Sequence, residues 1–221
     1  RFAMLAVENA TRPLYGWDTF MQWATKARVW FESRTMVPFA PFDVWLPAQG
    51  AVYFDAAPHY PGTAPLWQVW SALLIGRWDD SHTNGMWWLI ATALTLAIYG
   101  FLRGAGSSRL AALTGAWLAS SLPLLDVHIA LAGYADLPIA AYLAVAALAG
   151  VRFAGNRSPR DLALFVLLLS ALPLIKNPGK AWALLLLPGF LVALRPAWGL
   201  RATAVLAAAG GLLLLVVAQA K

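Results

Sequence analysis

The chain has 221 residues, 61% of them hydrophobic and 12% charged, and a mean hydropathy of +0.65; so apolar a chain cannot cover a soluble globule with polar surface, and it reads as an integral membrane protein. The formal net charge is +6, but the basic residues lie between apolar runs instead of clustering with aromatic residues on one soluble face, which excludes a nucleic-acid partner. Cysteine is absent, so there is neither a disulfide framework nor a thiolate metal site.

In chain order, the sequence opens on Arg1 without Met or a charged-then-apolar leader and ends on Lys221 after an apolar run, as part of a longer protein would. Residues 1–85 are mixed and Pro-rich and read as an outer loop region, whereas 86–221 alternate apolar stretches with short polar breaks. Within the first region, 17–36 sets Trp17, Phe20, Trp23, Ala24, Ala27, Trp30 and Phe31 at helical spacing. Thr19, Gln22, Lys26 and Ser33 lie off that face, which predicts an amphipathic helix on the outer leaflet. An irregular loop through Pro38, Pro41, Pro47, Pro58 and Pro61 follows. Residues 64–78 are apolar but short and carry Pro65 near their start, so an interfacial helix fits better than the alternative of a short crossing one.

Six spans are expected beyond this point, at 86–102, 110–126, 137–151, 161–175, 181–194 and 202–220; several are near the lower limit of roughly 17–25 residues for crossing hydrocarbon. The breaks Arg103–Arg109, Arg152–Arg160 and Arg195–Arg201 carry seven Arg, with Asp161 the only acid close by. They occur at every second break, so the positive-inside rule makes them cytoplasmic. The breaks Asp79–Gly85, Asp126–Asp136 and Lys176–Lys180 then face out with the whole amino-terminal region, taking nine of the ten acids with them. Most of the 12 Trp stand at the ends of apolar runs, where the ring prefers the headgroup level.

The outer side gathers the candidate site residues. Asp18 heads the first amphipathic helix, with Lys26 and Arg28 two to three turns on; His59-Tyr60-Pro61 leads into the second; Asp136 follows Gly133-Tyr134; Lys176-Asn177 begins a later span. Taken singly, Asp18 suits a helix N-cap, Lys26 and Arg28 suit contact with lipid phosphates, and His59 suits an ordinary loop. Asp136 and Lys176 stand at the mouths of apolar spans, where an unpaired charge is costly and pairing or function is the usual reason. Gly104-Ala105-Gly106 is a short inner loop, and no Gly-rich nucleotide fingerprint accompanies it.

Gly16-Trp17-Asp18 with its Trp-x-x-Lys-Ala helix, then His59-Tyr60-Pro61, then Gly133-Tyr134-Ala135-Asp136, then Lys176-Asn177-Pro178-Gly179, resembles the GT-C superfamily of membrane glycosyltransferases. The similarity is to its polyprenyl-phosphate-sugar-dependent group, which includes protein O-mannosyltransferases and the aminoarabinose transferases of lipid A. The resemblance implies an all-α polytopic membrane helix bundle with juxtamembrane helices in the first outer loop. It further implies transfer of a sugar from a polyprenyl-phosphate donor on the outer face of the membrane, and the high Ala, Leu and Arg content suggests a bacterial chain, hence an inner membrane. Asp18 would be the catalytic acid/base and Asp136 a second outer carboxylate, with Lys26, Arg28, His59, Tyr60 and Lys176 binding the substrate. A divalent metal is compatible with the resemblance, but no residue pattern indicates one. Membrane lipids and a larger membrane complex are the expected partners. Two other readings are a non-catalytic subunit of such a complex and a transporter; the latter calls for polar mid-span positions, which here are almost wholly Ala, Leu and Val.

Overall fold

The computed structural model describes residues 1–191. Among these the secondary structure is almost entirely helical, and the one sheet is a parallel pair of two-residue strands, β1 (Phe39–Ala40) and β2 (Tyr53–Phe54). The all-α expectation therefore holds. The chain divides into two compact units, Arg1–Pro138 and Ile139 onward; the compositional change at residue 85 coincides instead with the start of a long apolar helix.

The first unit opens with α1 (Phe2–Thr11), a helix absent from the sequence reading. Pro13 ends it by forcing the preceding Arg12 into extended backbone. The predicted amphipathic helix runs from Trp17 to Ser33. It contains a π-helical turn over Thr19–Trp23 and continues as α2 (Ala24–Ser33), and it stops three residues early because Arg34 turns left-handed (φ 57°). After the short α3 (Phe42–Trp45) and the strand pair comes α4 (Thr63–Ile75), closed by Gly76 at φ 84°. Ala64, Pro65, Gln68 and Ala72 form its buried face. A 3₁₀ turn over His82–Asn84 leads into α5 (Gly85–Gly104), which buries only the stripe Trp87, Ala91 and Leu94. Leu89 and Leu96 are left exposed.

The expected span 110–126 is not one helix. It consists of α6 (Arg109–Ser120), capped by the Ser108 hydroxyl accepting from the Ala111 N–H at 3.2 Å, and α7 (Pro123–Ala130), and the two are bent by 63°. Pro123 is the cause: it has no N–H to continue α6, while its fixed φ suits the first position of a new helix.

Helix α8 (Asp136–Asn156) begins in the first unit and continues through the second, where α9 (Pro159–Ile175) and a helix over Gly179–Leu191, here α10, follow. The second unit's core is Ala146, Ala149 and Phe165, packed with Leu186 and Phe190; the Phe165 and Phe190 rings stack at 4.4 Å. Its α8–α9 loop is tied by Asp161, which accepts from the Asn156 amide at 2.7 Å and pairs with Arg152 at 3.3 Å.

Among the described residues, two helical stretches are long and apolar enough to cross a membrane, His82–Gly104 (23 residues) and Asp136–Asn156 (21 residues), with the bent α6–α7 pair as a third if it acts as one span. They are compatible with an integral membrane protein. The expected spans 161–175 and 181–194 correspond to α9, at 17 residues, and to α10, which is shorter still; the expected span 202–220 lies outside the described residues.

Candidate functional site

Two segments far apart in sequence are pressed together in the first unit, and glycine is what lets them meet. A Cβ on Gly16 would lie 2.1 Å from the Tyr134 ring, and one on Gly133 would lie 2.2 Å from the Thr19 methyl. Gly133 also adopts φ 102°, a left-handed conformation that side chains resist. Thr19 is fully buried and donates from its hydroxyl to the Ala132 carbonyl at 3.4 Å. Buried Trp87 donates from its indole N–H to the Tyr134 carbonyl at 2.6 Å, fixing the same strip. The motif bearing Asp18 is thus seated on the motif bearing Asp136.

Asp18 is half-buried and makes no side-chain cap to its own helix, so the capping role open to it from sequence is not the one it performs. It immediately precedes the π-turn, a distortion of the α-helical ladder that is frequent at functional sites. That turn carries two donors the sequence reading passed over. The Gln22 side-chain amide nitrogen and the Trp23 indole nitrogen are both buried without a hydrogen-bond partner, and Trp23 is 1% exposed. Asp136 opens α8, where the helix dipole favours a carboxylate.

The predicted cations divide. Lys26 is buried and forms an ion pair with equally buried Asp55, and it also donates to the Ala57 carbonyl at 3.2 Å. Asp55 in turn accepts from the Ala57 N–H at 2.9 Å. Lys26 therefore anchors the 55–60 loop to the amphipathic helix. Arg28 is exposed and hydrogen-bonds Glu32 at 2.9 Å; that bond and the Glu32 charge raise its pKa further, with Asp80 adding to the effect. It lines a cavity of about 160 Å³ with Leu14, Phe20, Thr25, Trp78 and Asp80. Tyr60 sets its ring edge-on to Trp23 at 5.5 Å, and exposed His59 lies 5.5 Å from Tyr60. Asp18, Lys26, Tyr60 and Asp136 all lie in the first unit.

Lys176 lies in the second unit, between α9 and α10, half-buried, with its carbonyl accepting from the Gly179 N–H at 2.8 Å. The glycine three residues on has a steric reason: a Cβ there would stand 2.0 Å from the Leu172 carbonyl oxygen.

A second polar knot precedes α5. Asp79 accepts from the backbone N–H of His82 (3.0 Å) and of Ser81 (3.1 Å) and from the His82 ring (2.9 Å). The His82 backbone bond, followed by the ring contact, lowers its pKa to about 2. Buried Gln68 of α4 donates to Asn84 at 3.0 Å, tying α4 to the same turn.

Of the residues that matter here, Asp55, Gln22 and Trp23 escaped the sequence reading. An isolated acid at Phe54-Asp55-Ala56-Ala57 between apolar residues was the available signal for the first; nothing in the spacing distinguishes the other two. Among the described residues, no group of three or more His, Asp or Glu side chains is arranged to hold a metal ion. No family model, no curated protein and no solved structure matches the chain.

Proposed function

We propose that this chain carries the outer-face site of a GT-C-type glycosyltransferase in a bacterial inner membrane, its spans forming a polytopic bundle, and that it transfers a sugar from a polyprenyl-phosphate donor. One observation supports this above the others: the Gly16–Thr19 strip is seated on Ala132–Tyr134 through glycine contacts, which puts two carboxylate-bearing segments side by side where α8 begins. In this reading the acceptor hydroxyl oxygen attacks the anomeric carbon, the bond from that carbon to the phosphate oxygen breaks, and the polyprenyl phosphate leaves. Asp18 takes the hydroxyl proton. The unpartnered Gln22 and Trp23 donors are available to the sugar or to the phosphate as negative charge develops on the leaving group.

The alternative, a non-catalytic subunit of a larger membrane complex, is favoured by one observation. Lys26 is committed to Asp55 and Ala57 and so is not a free phosphate ligand. Mass spectrometry of lipids co-purified with the full-length protein separates the two. A retained polyprenyl phosphate, lost in the Gln22→Ala/Trp23→Phe variant, supports the transferase; retention of ordinary phospholipid alone supports the subunit.

A further inference from the structure

A cavity of about 320 Å³ opens between α2 and α4, lined by Trp30, Phe31, Met36, Leu66, Val69 and Leu73, with Arg34 at its edge. It lies wholly within the first unit and shares no residue with the site described above. The α4 face around it is apolar and uncovered: Trp70 is 65% exposed and Leu74 84%. Residues 76–84, which include the 3₁₀ turn over His82–Asn84, connect α4 to α5. Trp67 of α4 meets Trp87 at the start of α5, ring edge to face, at 6.4 Å. Because α5 is a helix long and apolar enough to span, this contact sets α4 at the level where hydrocarbon gives way to headgroups.

The charge at the rim identifies the occupant. Lys26 is paired with Asp55 and Arg28 with Glu32, but among the described residues no carboxylate lies within ion-pair distance of Arg34. Its guanidinium is held 4.8 Å over the Phe31 ring, on the wall of the groove. The carbonyls ending α2 carry about half an electron charge, which a full guanidinium outweighs, so the rim is net positive. We propose that the α2–α4 groove binds one acyl chain of an anionic phospholipid, with the headgroup phosphate on Arg34. The volume is at the low end of the roughly 300–1,000 Å³ typical of small-molecule pockets, enough for a single chain. Because that chain comes from hydrocarbon, its burial contributes little; the headgroup contact decides occupancy. The inference requires only that the protein sits in a membrane, not that it transfers a sugar.

The test uses full-length protein in phosphatidylcholine vesicles doped with phosphatidylglycerol carrying a photoreactive diazirine in its acyl chain, with adducts mapped by peptide mass spectrometry after illumination. Adducts should concentrate on Met36, Leu66, Val69 and Leu73 relative to the lipid-facing Leu89 and Leu96 of α5. Arg34→Gln, a surface change that leaves the fold intact, should reduce that enrichment about five-fold, the worth of one basic residue at an anionic surface. Val69→Trp should fill the groove and abolish the enrichment while Leu89 and Leu96 label as before. Groove labelling no stronger than at Leu89 and Leu96 would overturn the proposal. So would an unchanged Arg34→Gln variant, or equal groove labelling by diazirine-tailed phosphatidylcholine.

Discussion

Removing Asp55 tests whether Lys26 is a structural anchor. Both side chains are buried, Lys26 at 2% exposure and Asp55 at 1%, and the ammonium's other contact is the Ala57 carbonyl. In Asp55→Ala the Lys26 charge stays buried with a single carbonyl for company, and breaking a buried pair in this way costs about 3–5 kcal/mol. At roughly 2–4 °C per kcal/mol for a chain of this size, the melting temperature should fall by about 6–20 °C. Replacing both partners removes the stranded charge, so Lys26→Met/Asp55→Leu should recover most of the loss. The assay is thermal unfolding of the detergent-purified protein followed by intrinsic tryptophan fluorescence, which Trp23 and Trp30 on the same helix make sensitive to this region. An Asp55→Ala variant within about 0.5 kcal/mol of the parent, the range of an ordinary surface change, would refute the anchoring role and return Lys26 to the pool of substrate ligands.

Further outcomes follow from the same contacts. Gly133→Ala meets both a left-handed φ and the Thr19 methyl, and should destabilise the first unit by about 2–5 kcal/mol; adding Thr19→Ala should restore part of this, and its failure to do so would mean the clash is not the cause. Asp79 has a depressed folded-state pKa of about 2, so its contribution is present above the unfolded value of about 3.9 and is lost as the pH falls through about 2. Asp79→Ala should therefore flatten the acid limb of an unfolding profile between those values, and an unaltered limb would contradict the Asp79–His82 knot. On topology, single cysteines at Ser107 or Ser158 should react with an impermeant reagent only from the cytoplasm and one at Ser81 only from outside; the opposite pattern would put Asp18 and Asp136 in the wrong compartment.

What the sequence disclosed follows the range of the forces involved. The helix over Trp17–Ser33 and the helix beginning at Gly85 were legible because helical spacing and sustained apolarity are local. The π-turn within the first was not, since one extra residue per turn leaves the aromatic spacing nearly unchanged. The apolar run 110–126 concealed a break that Pro123 announces, because hydropathy averages over the one missing N–H. The Gly16 and Gly133 motifs were visible as motifs, but that each glycine admits the other segment depends on packing across more than a hundred residues. Lys26 shows the same limit: a lysine on an amphipathic helix looks solvent- or lipid-facing until a buried Asp55, brought in by the β1–β2 pairing, claims it. Arg28 and Arg34, six residues apart, look alike in sequence, yet Arg28 pairs with Glu32 whereas Arg34 lies over the Phe31 ring.

The central claim, that Asp18 accepts a proton during sugar transfer, is tested most directly by assaying the full-length protein in vesicles for release of polyprenyl phosphate from a synthetic polyprenyl-phosphate sugar. Asp18→Asn is the comparison, because it removes proton acceptance with little change in volume. The account predicts that Asp18→Asn lowers turnover by at least about 10²-fold with donor binding and melting temperature unchanged. Equal turnover by parent and variant, or no turnover by the parent with any donor, would contradict it.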